Sequence, residues 1–552
     1  MKLPSEISRT SIGSASPLHF ERISLLFFFG LLLAVVSPML AVDGELAVPT
    51  TPSGDAVAAT IEASNDALEL PLDRAIVLAL RHNIGLVVQR YGRERSLLGI
   101  DAAQGIYDLN LTADLRTSTS SSPQTSSLQE TQGVLSDEND RWNFSLSQLT
   151  SWGGGLQFNS NNRSQETSDR TQLINPLYNA DASLFFQQPL LRNFGRDATN
   201  RNIIVARKDS AISLEAFRSN VESVVRQVSD IYWDLVAAQE QLDVSQESLE
   251  LARELHEMNR IQVEVGTLAP LEMVQSEAGV AAREEEIIRQ QAAVEDAADG
   301  LRRLLNLEVG NLWDVPIQPV TDPEIDHEPI DLKQAVDLAL EHRADVIQQR
   351  LEIEKRELDA RIAQRNKLPQ VDLTAGIGYN GTNVTIDREA GTLIDDGYSG
   401  ALQQITDRDF EFWSVQFNVS YPIQNRDAKA RAAQAELFLE QGEWALRDLE
   451  NSVLVEVRRT ARAVDTAAKS IESARVSSKL ARKNLEAEQK RYENGLSTSF
   501  TVLQIQEDLS EALSREVSAV IGYRKALAAY QLSIGRLLDE FGVTLDDPTS
   551  DD

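Results

Sequence analysis

The sequence predicts an α+β membrane protein: a long antiparallel α-helical coiled-coil barrel joined to a transmembrane β-barrel shared between chains, and built from a tandem structural repeat. Three observations carry this. Short segments alternate strictly between apolar and polar residues, as strands with two unlike faces do. Heptad stripes run for over four heptads, the mark of coiled-coil packing. Both patterns occur twice: LDRAIVLALRH at 72–82 matches LKQAVDLALEH at 332–342, and Gln89-Arg90 matches Gln349-Arg350 at the same offset.

The N-terminus reads as a targeting segment. Lys2, Arg9 and Arg22 precede the apolar run ISLLFFFGLLLAVV at 23–36, and Ser37-Pro38 follows it. A spanning helix needs about 20 apolar residues, whereas a signal-peptide core needs about 7–15. Residues 1–41 are therefore read as a signal peptide with cleavage near Ala41, the alternative being an uncleaved anchor. No later apolar run reaches spanning length, so membrane crossing by the exported chain would use β-strands. The chain has 53 Lys+Arg against 85 Asp+Glu, net −32, and no cysteine. Phosphate backbones repel such a surface, so no nucleic-acid partner is expected. The missing cysteines exclude disulfides, thiolate metal sites and a lipid-modified N-terminal cysteine.

Residues 42–67 read as a flexible N-terminal lead. The first repeat, 68–306, opens with a helix to about Gly105. In YDLNLTADLR at 107–116, Tyr107, Leu109, Leu111, Ala113 and Leu115 make one face and polar residues the other. Residues 117–140 read as a polar loop. Trp142–Gln148 and Leu156–Ser160 flank Gly153-Gly154-Gly155 and predict a hairpin, which would either add strands to the barrel or lie outside it. Ala180–Gln188 closes the strand region, 107–190. A helical hairpin follows at 199–305, with Val221, Val228, Leu235, Leu249 and Ala252 on its stripe, Gly266 at the turn and Pro270 opening the second helix.

Residues 307–330, with four prolines, read as a linker. The second repeat, 331–538, has a helix, strands at 371–421 and a helical hairpin at 427–538 that turns at Gly495. Residues 539–552 read as an acidic disordered tail. SLELARELHEMNRIQVEVG at 248–266 aligns with SSKLARKNLEAEQKRYENG at 477–495.

Strands of about 10 residues suit a tilted crossing. Tyr107, Trp142, Tyr379, Trp413 and Tyr421 stand at strand ends as an interfacial girdle would. Four to six strands cannot enclose a channel, so several chains would share one barrel. The stripes are rich in Ala and Val, which lets helices approach closely and bundle into a tube. The competing readings are a soluble β-subdomain and a plain coiled-coil rod, as in a periplasmic adaptor protein.

Further motifs sharpen the choice: QPLLRNFG at 188–195, Tyr421-Pro422-Ile423 followed by Asn425-Arg426-Asp427-Ala428, VGTLAPLEMVQSE at 265–277, and ENGLSTSFTVLQIQ at 493–506 after Gln489-Lys490-Arg491-Tyr492. In order, duplication and spacing over about 70–540 they resemble the TolC-like outer membrane efflux protein family, the outer membrane factors. The resemblance implies a homotrimer whose three chains share one barrel in the outer membrane of a Gram-negative-type cell. A helical tunnel would continue through the periplasm, with pseudo-sixfold symmetry from two repeats in each of three chains. It implies a passive conduit in a tripartite efflux or type I secretion system. Docking to a periplasmic adaptor (membrane fusion) protein, which links to an inner-membrane pump, falls at Gly266, Thr267, Leu268, Gly495, Leu496 and Ser497. Relatives often carry acids at the second tip, where this sequence has Thr501 and Gln504. Glu272, Glu507 and Asp508 nearby complete the candidates for a periplasmic constriction.

No catalytic constellation appears: His256-Glu257 lacks a second histidine, and there is no phosphate loop or nucleophile elbow. No enzyme activity, cofactor or metal site is expected. Asp137, Glu138 and Asp140 read as part of an outer loop.

Overall fold

In the computed structural model, residues 68–124, 133–307, 313–323, 329–387 and 391–543 are described. The signal segment 1–41, the lead 42–67 and most of the acidic tail lie outside them. Strand β1 (Leu68–Leu70) leads into helices α1 (Leu72–His82) and α2 (Ile84–Gln104). Strands β2 (Asn110–Pro123), β3 (Val134–Leu149), β4 (Gly155–Thr167) and β5 (Leu177–Pro189) follow, then α3 (Arg201–Glu264) and α4 (Pro270–Leu305). After β6 (Ile317–Pro319) come α5 (Leu332–His342), α6 (Ala344–Arg365), β7 (Gln370–Thr382), a small hairpin β8 (Val384–Ile386) and β9 (Leu393–Asp395), α7 (Gly397–Asp407) and β10 (Phe410–Ser420). The long helix α8 (Arg426–Glu493), its return α9 (Ser499–Ser533) and a short helix, Leu537–Glu540, follow. A helix pair, strands, a very long helix, a tight turn and a shorter helix thus occur twice. At about 1.5 Å per residue, α3 with 64 residues and α8 with 68 are each close to 100 Å long.

Several boundaries differ from the sequence reading. The expected helices 72–105 and 331–366 are each broken, at Asn83 and Arg343, where the backbone turns extended. Asn83 then caps α2 by accepting from Leu86 N–H at 3.2 Å. Residues 105–107 form a 3-10 turn, so Tyr107 precedes its strand rather than opening it. The expected loop 117–140 is largely strand. Ser118 pairs with Asn139 and Ser122 with Leu135, and Asp137, Glu138 and Asp140 belong to β3. Backbone pairing continues there after the apolar alternation stops, and alternation was the only signal the sequence offered. Within the strand region 371–421 the chain also holds β8, β9 and α7, and the linker 307–330 contributes β6, which pairs in parallel with β1.

The core of the first half sits at that small sheet. Leu68, Leu70, Ala75, Ile76, Val228, Leu235, Leu301, Leu305 and Ile317 are buried around Tyr232, whose side chain has no exposure. Tyr232 donates to Leu70 O (3.0 Å) and accepts from Thr321 N–H (3.1 Å), while Thr321 Oγ1 accepts from Leu72 N–H (2.9 Å). One hydroxyl therefore joins α3 to the C-terminal ends of both β1 and β6. In the second half Ala335, Ala339, Val346, Val453, Val457 and Ile534 form the equivalent cluster.

The ends of the two return helices are built alike. Leu307 N–H reaches Arg302 O and Asn306 N–H reaches Arg303 O, with Asn306 left-handed. Arg536 N–H reaches Gln531 O and Gly535 N–H reaches Leu532 O, with Gly535 left-handed. These are Schellman caps. Both are met by the kink residues of the first helix pairs: Asn83 Nδ2 donates to Leu304 O and Arg343 Nη1 to Ser533 O, each at 3.2 Å.

Tyr232→Phe leaves the Thr321 N–H unpaired and the Leu70 carbonyl with only the Val320 N–H, at 3.4 Å. A loss of about 1–3 kcal/mol is expected, read as a lower thermal midpoint of the detergent-extracted protein. An unchanged midpoint would show that the hydroxyl does not hold the small sheet to α3.

Candidate functional site: two helical tips and a two-faced sheet

The turns between the long helices and their returns have one geometry. Thr267 N–H donates to Gln262 O (2.9 Å) and Gly266 N–H to Val263 O (3.0 Å). Leu496 N–H donates to Arg491 O (2.8 Å) and Gly495 N–H to Tyr492 O (2.9 Å). Gly266 and Gly495 take φ of +78° and +72°, and open space surrounds the position of a Cβ at each. Glycine is needed here for the left-handed backbone, not for room. Pro270 opens α4, and Thr498 caps α9 by accepting from Thr501 N–H at 3.3 Å. Thr267 and Leu496 are exposed, Leu496 to 70%.

The two tips are tied side by side. Tyr492 donates to Asn259, which is fully buried, and Ser499 donates to the Glu272 carboxylate. Asn259 Nδ2 reaches Glu272 O at 3.4 Å, and Gln506 Nε2 donates to Leu251 O at 3.0 Å. Beneath these bonds lie Leu255, Leu485, Val502 and Leu509. Burial, with the Glu272 charge nearby, raises the Tyr492 hydroxyl above its ordinary pKa and keeps it a donor at neutral pH.

At the other end, β2, β3, β4, β5, β7 and β10 form one antiparallel sheet in the order β10-β7-β5-β4-β3-β2. Residues directly opposite across an antiparallel pair share a face. Leu111, Leu146, Phe158, Leu184, Ile377 and Trp413 therefore make one apolar row across all six strands. Further along the same face lie Phe144, Leu156, Phe186, Leu373, Val415, Phe417 and Val419. The opposite face carries Thr112, Ser145, Asn159, Ser183, Gly378 and Phe412 in one row. Apart from Phe412, which lies over Gly378, the row is small or polar, and Phe185 on the same face lies over Gly376. Only a tight five-residue stretch, Thr150–Gly154, joins β3 to β4, and it packs on the β5 exit: Gly195 N–H donates to Trp152 O at 3.3 Å. Longer connections link the strands at the opposite end. Among the described residues no helix is long and apolar enough to cross a membrane.

The sequence matches the family described as Outer membrane efflux protein over residues 151–307 and 335–536, well over half of the chain. The chain belongs to that family. Solved structures similar to this efflux protein include the outer-membrane channel OprN, at 16% identity and TM-score 0.61, covering 84% of this chain and 89% of that one. The CmeC outer membrane channel of Campylobacter jejuni gives 14%, 0.60, 84% and 86%. The outer membrane protein VceC of Vibrio cholerae gives 16%, 0.59, 84% and 96%. At such identities the likeness is one of fold. No curated protein matches by sequence.

Within this efflux protein, the six expected docking residues fall at the two turns: Gly266, Thr267 and Leu268 at one, Gly495, Leu496 and Ser497 at the other, where Ser497 donates to Glu488. The constriction candidates lie just behind. Glu272 accepts from Ser499, Glu507 is ion-paired with Arg283, Thr501 is half-buried, and Gln504 and Asp508 are exposed. Of the girdle aromatics, Trp413 (75% exposed) and Tyr421 stand open on the apolar side. The others are engaged. Tyr107 donates to Asn200, Trp142 donates to the Tyr398 hydroxyl (3.2 Å), and Tyr379 lies under Arg408. Trp152 and Phe194, both exposed at the turn end of the sheet, were not singled out from sequence. Their place next to GGG and within QPLLRNFG was the available signal. Asn259 and Ser499 had none, since their partners lie over 200 residues away.

Gly266→Ala and Gly495→Ala force a side chain into the left-handed region at a cost of about 1 kcal/mol, which is roughly a fivefold larger open population of the turn. Limited proteolysis should cut each variant faster at its own tip and nowhere else. Equal cutting rates would mean the turn does not depend on its glycine.

Proposed function

We propose that this chain is the outer-membrane duct of a tripartite efflux or type I secretion system, a homotrimer that conducts passively while an inner-membrane pump supplies the energy. The observation that carries the reading is the sheet, continuous in its apolar face over six strands, mostly small and polar on the other, and open at both edges. The apolar face suits lipid and the polar face a solvated lumen. The unpaired edges, β2 and β10, cannot stand in hydrocarbon. In a trimer each β10 pairs with β2 of the next chain, and three chains of six strands close an eighteen-stranded barrel, wide enough for an aqueous channel. The short β3–β4 turn then faces the periplasm and the longer connections face outward.

Two repeats per chain supply the tunnel with pseudo-sixfold symmetry, and a tandem duplication explains the paired caps and kinks. Leu437, Phe438, Trp444, Val455, Val476 and Leu480 are exposed along α8. Leu437, Trp444, Val455 and Leu480 are spaced by near-whole turns and form a seam for a neighbouring chain, flanked by Phe438 and Val476. The exposed tips around Gly266 and Gly495 dock a periplasmic adaptor, and the Tyr492–Asn259 and Ser499–Glu272 bonds tie each chain's two tips together at the periplasmic end. No part of this reading requires catalysis. A soluble adaptor is disfavoured by the sheet, since it would leave Trp413, Phe417 and Val419 in water.

Native mass of the mature chain extracted in mild detergent from outer membranes should be that of a trimer. A monomer soluble without detergent would defeat the duct. The chain has no cysteine, so cysteines placed singly along β2 and β10 report their pairing without background: disulfide-linked trimers are expected, and none in any register would exclude a shared barrel. Leu496→Glu puts a charge on the exposed docking tip. Export should be lost while the trimer remains, and normal export would remove the tip from the docking surface.

A further inference from the structure

The strand register places three arginines in one row. Arg116 of β2 lies directly opposite Arg141 of β3, and Arg141 lies directly opposite Arg163 of β4. All three are on the polar face, with side chains starting about 4.5–5.5 Å apart. Like charges so placed destabilise a sheet. In a chain of net −32 the three strands could have carried an acid here, and they do not. Nor are the charges neutralised. Arg116 and Arg141 are exposed and make no hydrogen bond or ion pair among the described residues. Arg163 is half-buried and aimed by neutral acceptors: its Nε donates to Asn139 Oδ1 at 2.9 Å and its Nη2 to Gln165 Oε1 at 3.0 Å. The nearest acids on this face are Asp114 of β2, opposite Asn143, and Asp181 of β5, opposite Asn161, which donates to it at 3.0 Å; neither is ion-paired with the row. Asp140 and Glu138 point to the other face.

The row's position is informative. On the reverse side of the sheet the apolar band ends at Leu115 and Trp142, the neighbours of Arg116 and Arg141. The arginines therefore lie level with the outer edge of the lipid, on the lumen side. Two of the three stand on the β3–β4 hairpin. The first half contributes four strands to the sheet and the second only two, so this hairpin is the element without a counterpart. The same insertion that widens the barrel brings these cations to it.

We infer that Arg116, Arg141 and Arg163 form an anion filter in the lumen near the outer mouth, recognising permeants that carry phosphate or carboxylate groups. Three chains would contribute nine guanidinium groups to one ring. A ring of arginine charge is a physical basis for anion selectivity in a pore, and guanidinium suits bidentate contact with such anions. The inference rests on the duct reading, which places the polar face in the lumen.

The test uses the full trimer in planar bilayers of neutral phosphatidylcholine, free of lipopolysaccharide. Reversal potentials are read in a potassium chloride gradient for the wild type and for R116Q/R141Q/R163Q. The tripled neutralisation should lower chloride-to-potassium permeability by about threefold, the equivalent of roughly one kT of lumen potential. Inorganic tripolyphosphate added at the outer side should reduce wild-type conductance and leave the variant unaffected. R141Q alone should shift both readouts in the same direction by less, and R141K should restore them; these single variants serve if the triple variant does not assemble. Conducting wild-type and variant channels with equal reversal potentials and equal tripolyphosphate response would overturn the filter while leaving the duct intact. No conductance from the wild-type trimer would sink the duct and the filter together. A dependence on the arginines that appears only when lipopolysaccharide is added would assign the row to lipid phosphates and overturn the filter.

Discussion

Strands β2 and β10 end the sheet with rows of backbone donors and acceptors that have no partner among the described residues. In water such edges are a tolerable liability. Beside lipid they are not, because each unsatisfied group there costs several kcal/mol. The apolar face next to them, with Trp413, Val415, Phe417 and Val419 exposed on the last strand, makes water equally unsuitable. These two facts act together. The face requires lipid, lipid requires closed edges, and six strands in one chain cannot close around a channel. In the proposed trimer, copies of the chain complete the wall, and the helices would follow them into a ring.

The helical half meets that demand with repeated local devices. Each long helix stops at a glycine in the left-handed conformation, and each return helix at a left-handed Asn306 or Gly535. Each return helix is met at its end by a kink residue from the first helix pair, Asn83 or Arg343. Chemically the two kinks differ, amide against guanidinium, yet both spend a donor on the same carbonyl position. Gly535 could not be replaced without contact: a Cβ there would come within 3.0 Å of the His342 carbonyl carbon. The second half thus holds a closer approach of backbone to backbone than the first.

Element type was legible wherever packing imposes a period. The 64 residues of α3 and 68 of α8 repeat their apolar positions once per turn or two, and the apolar strand segments alternate. Where one period gave way to none, the sequence was silent. The outer parts of β2 and β3 are polar on both faces, so nothing in Ser118–Ser122 distinguishes strand from loop. Breaks at Asn83 and Arg343 were hidden because the apolar stripe resumes in phase beyond each kink. Glycine and proline marked the tips well, since a positive φ and an N1 proline are local requirements. The bonds that tie one tip to the other are not local. Asn259 carries no sign in its own neighbourhood that Tyr492 will meet it.

The β3–β4 hairpin separates the two ends of the molecule in a way the repeats alone do not. A tandem repeat would give equal numbers of elements from each half, and the two helical tips match turn for turn. The sheet breaks it, four strands against two. Barrel diameter grows roughly linearly with strand number, so in the proposed trimer six strands from each chain, rather than the four that two equal halves would give, would make the mouth about half again as wide. A wider mouth exerts less steric control and leaves more to charge. On that proposal Arg116, Arg141 and Arg163 stand at the mouth. The periplasmic end has the opposite character: Glu507 is neutralised by Arg283, and Glu272 is spent on Ser499. In the proposed duct, closure at the tips would then rest on hydrogen bonds such as Tyr492–Asn259 and Ser499–Glu272, and discrimination by charge on the outer end.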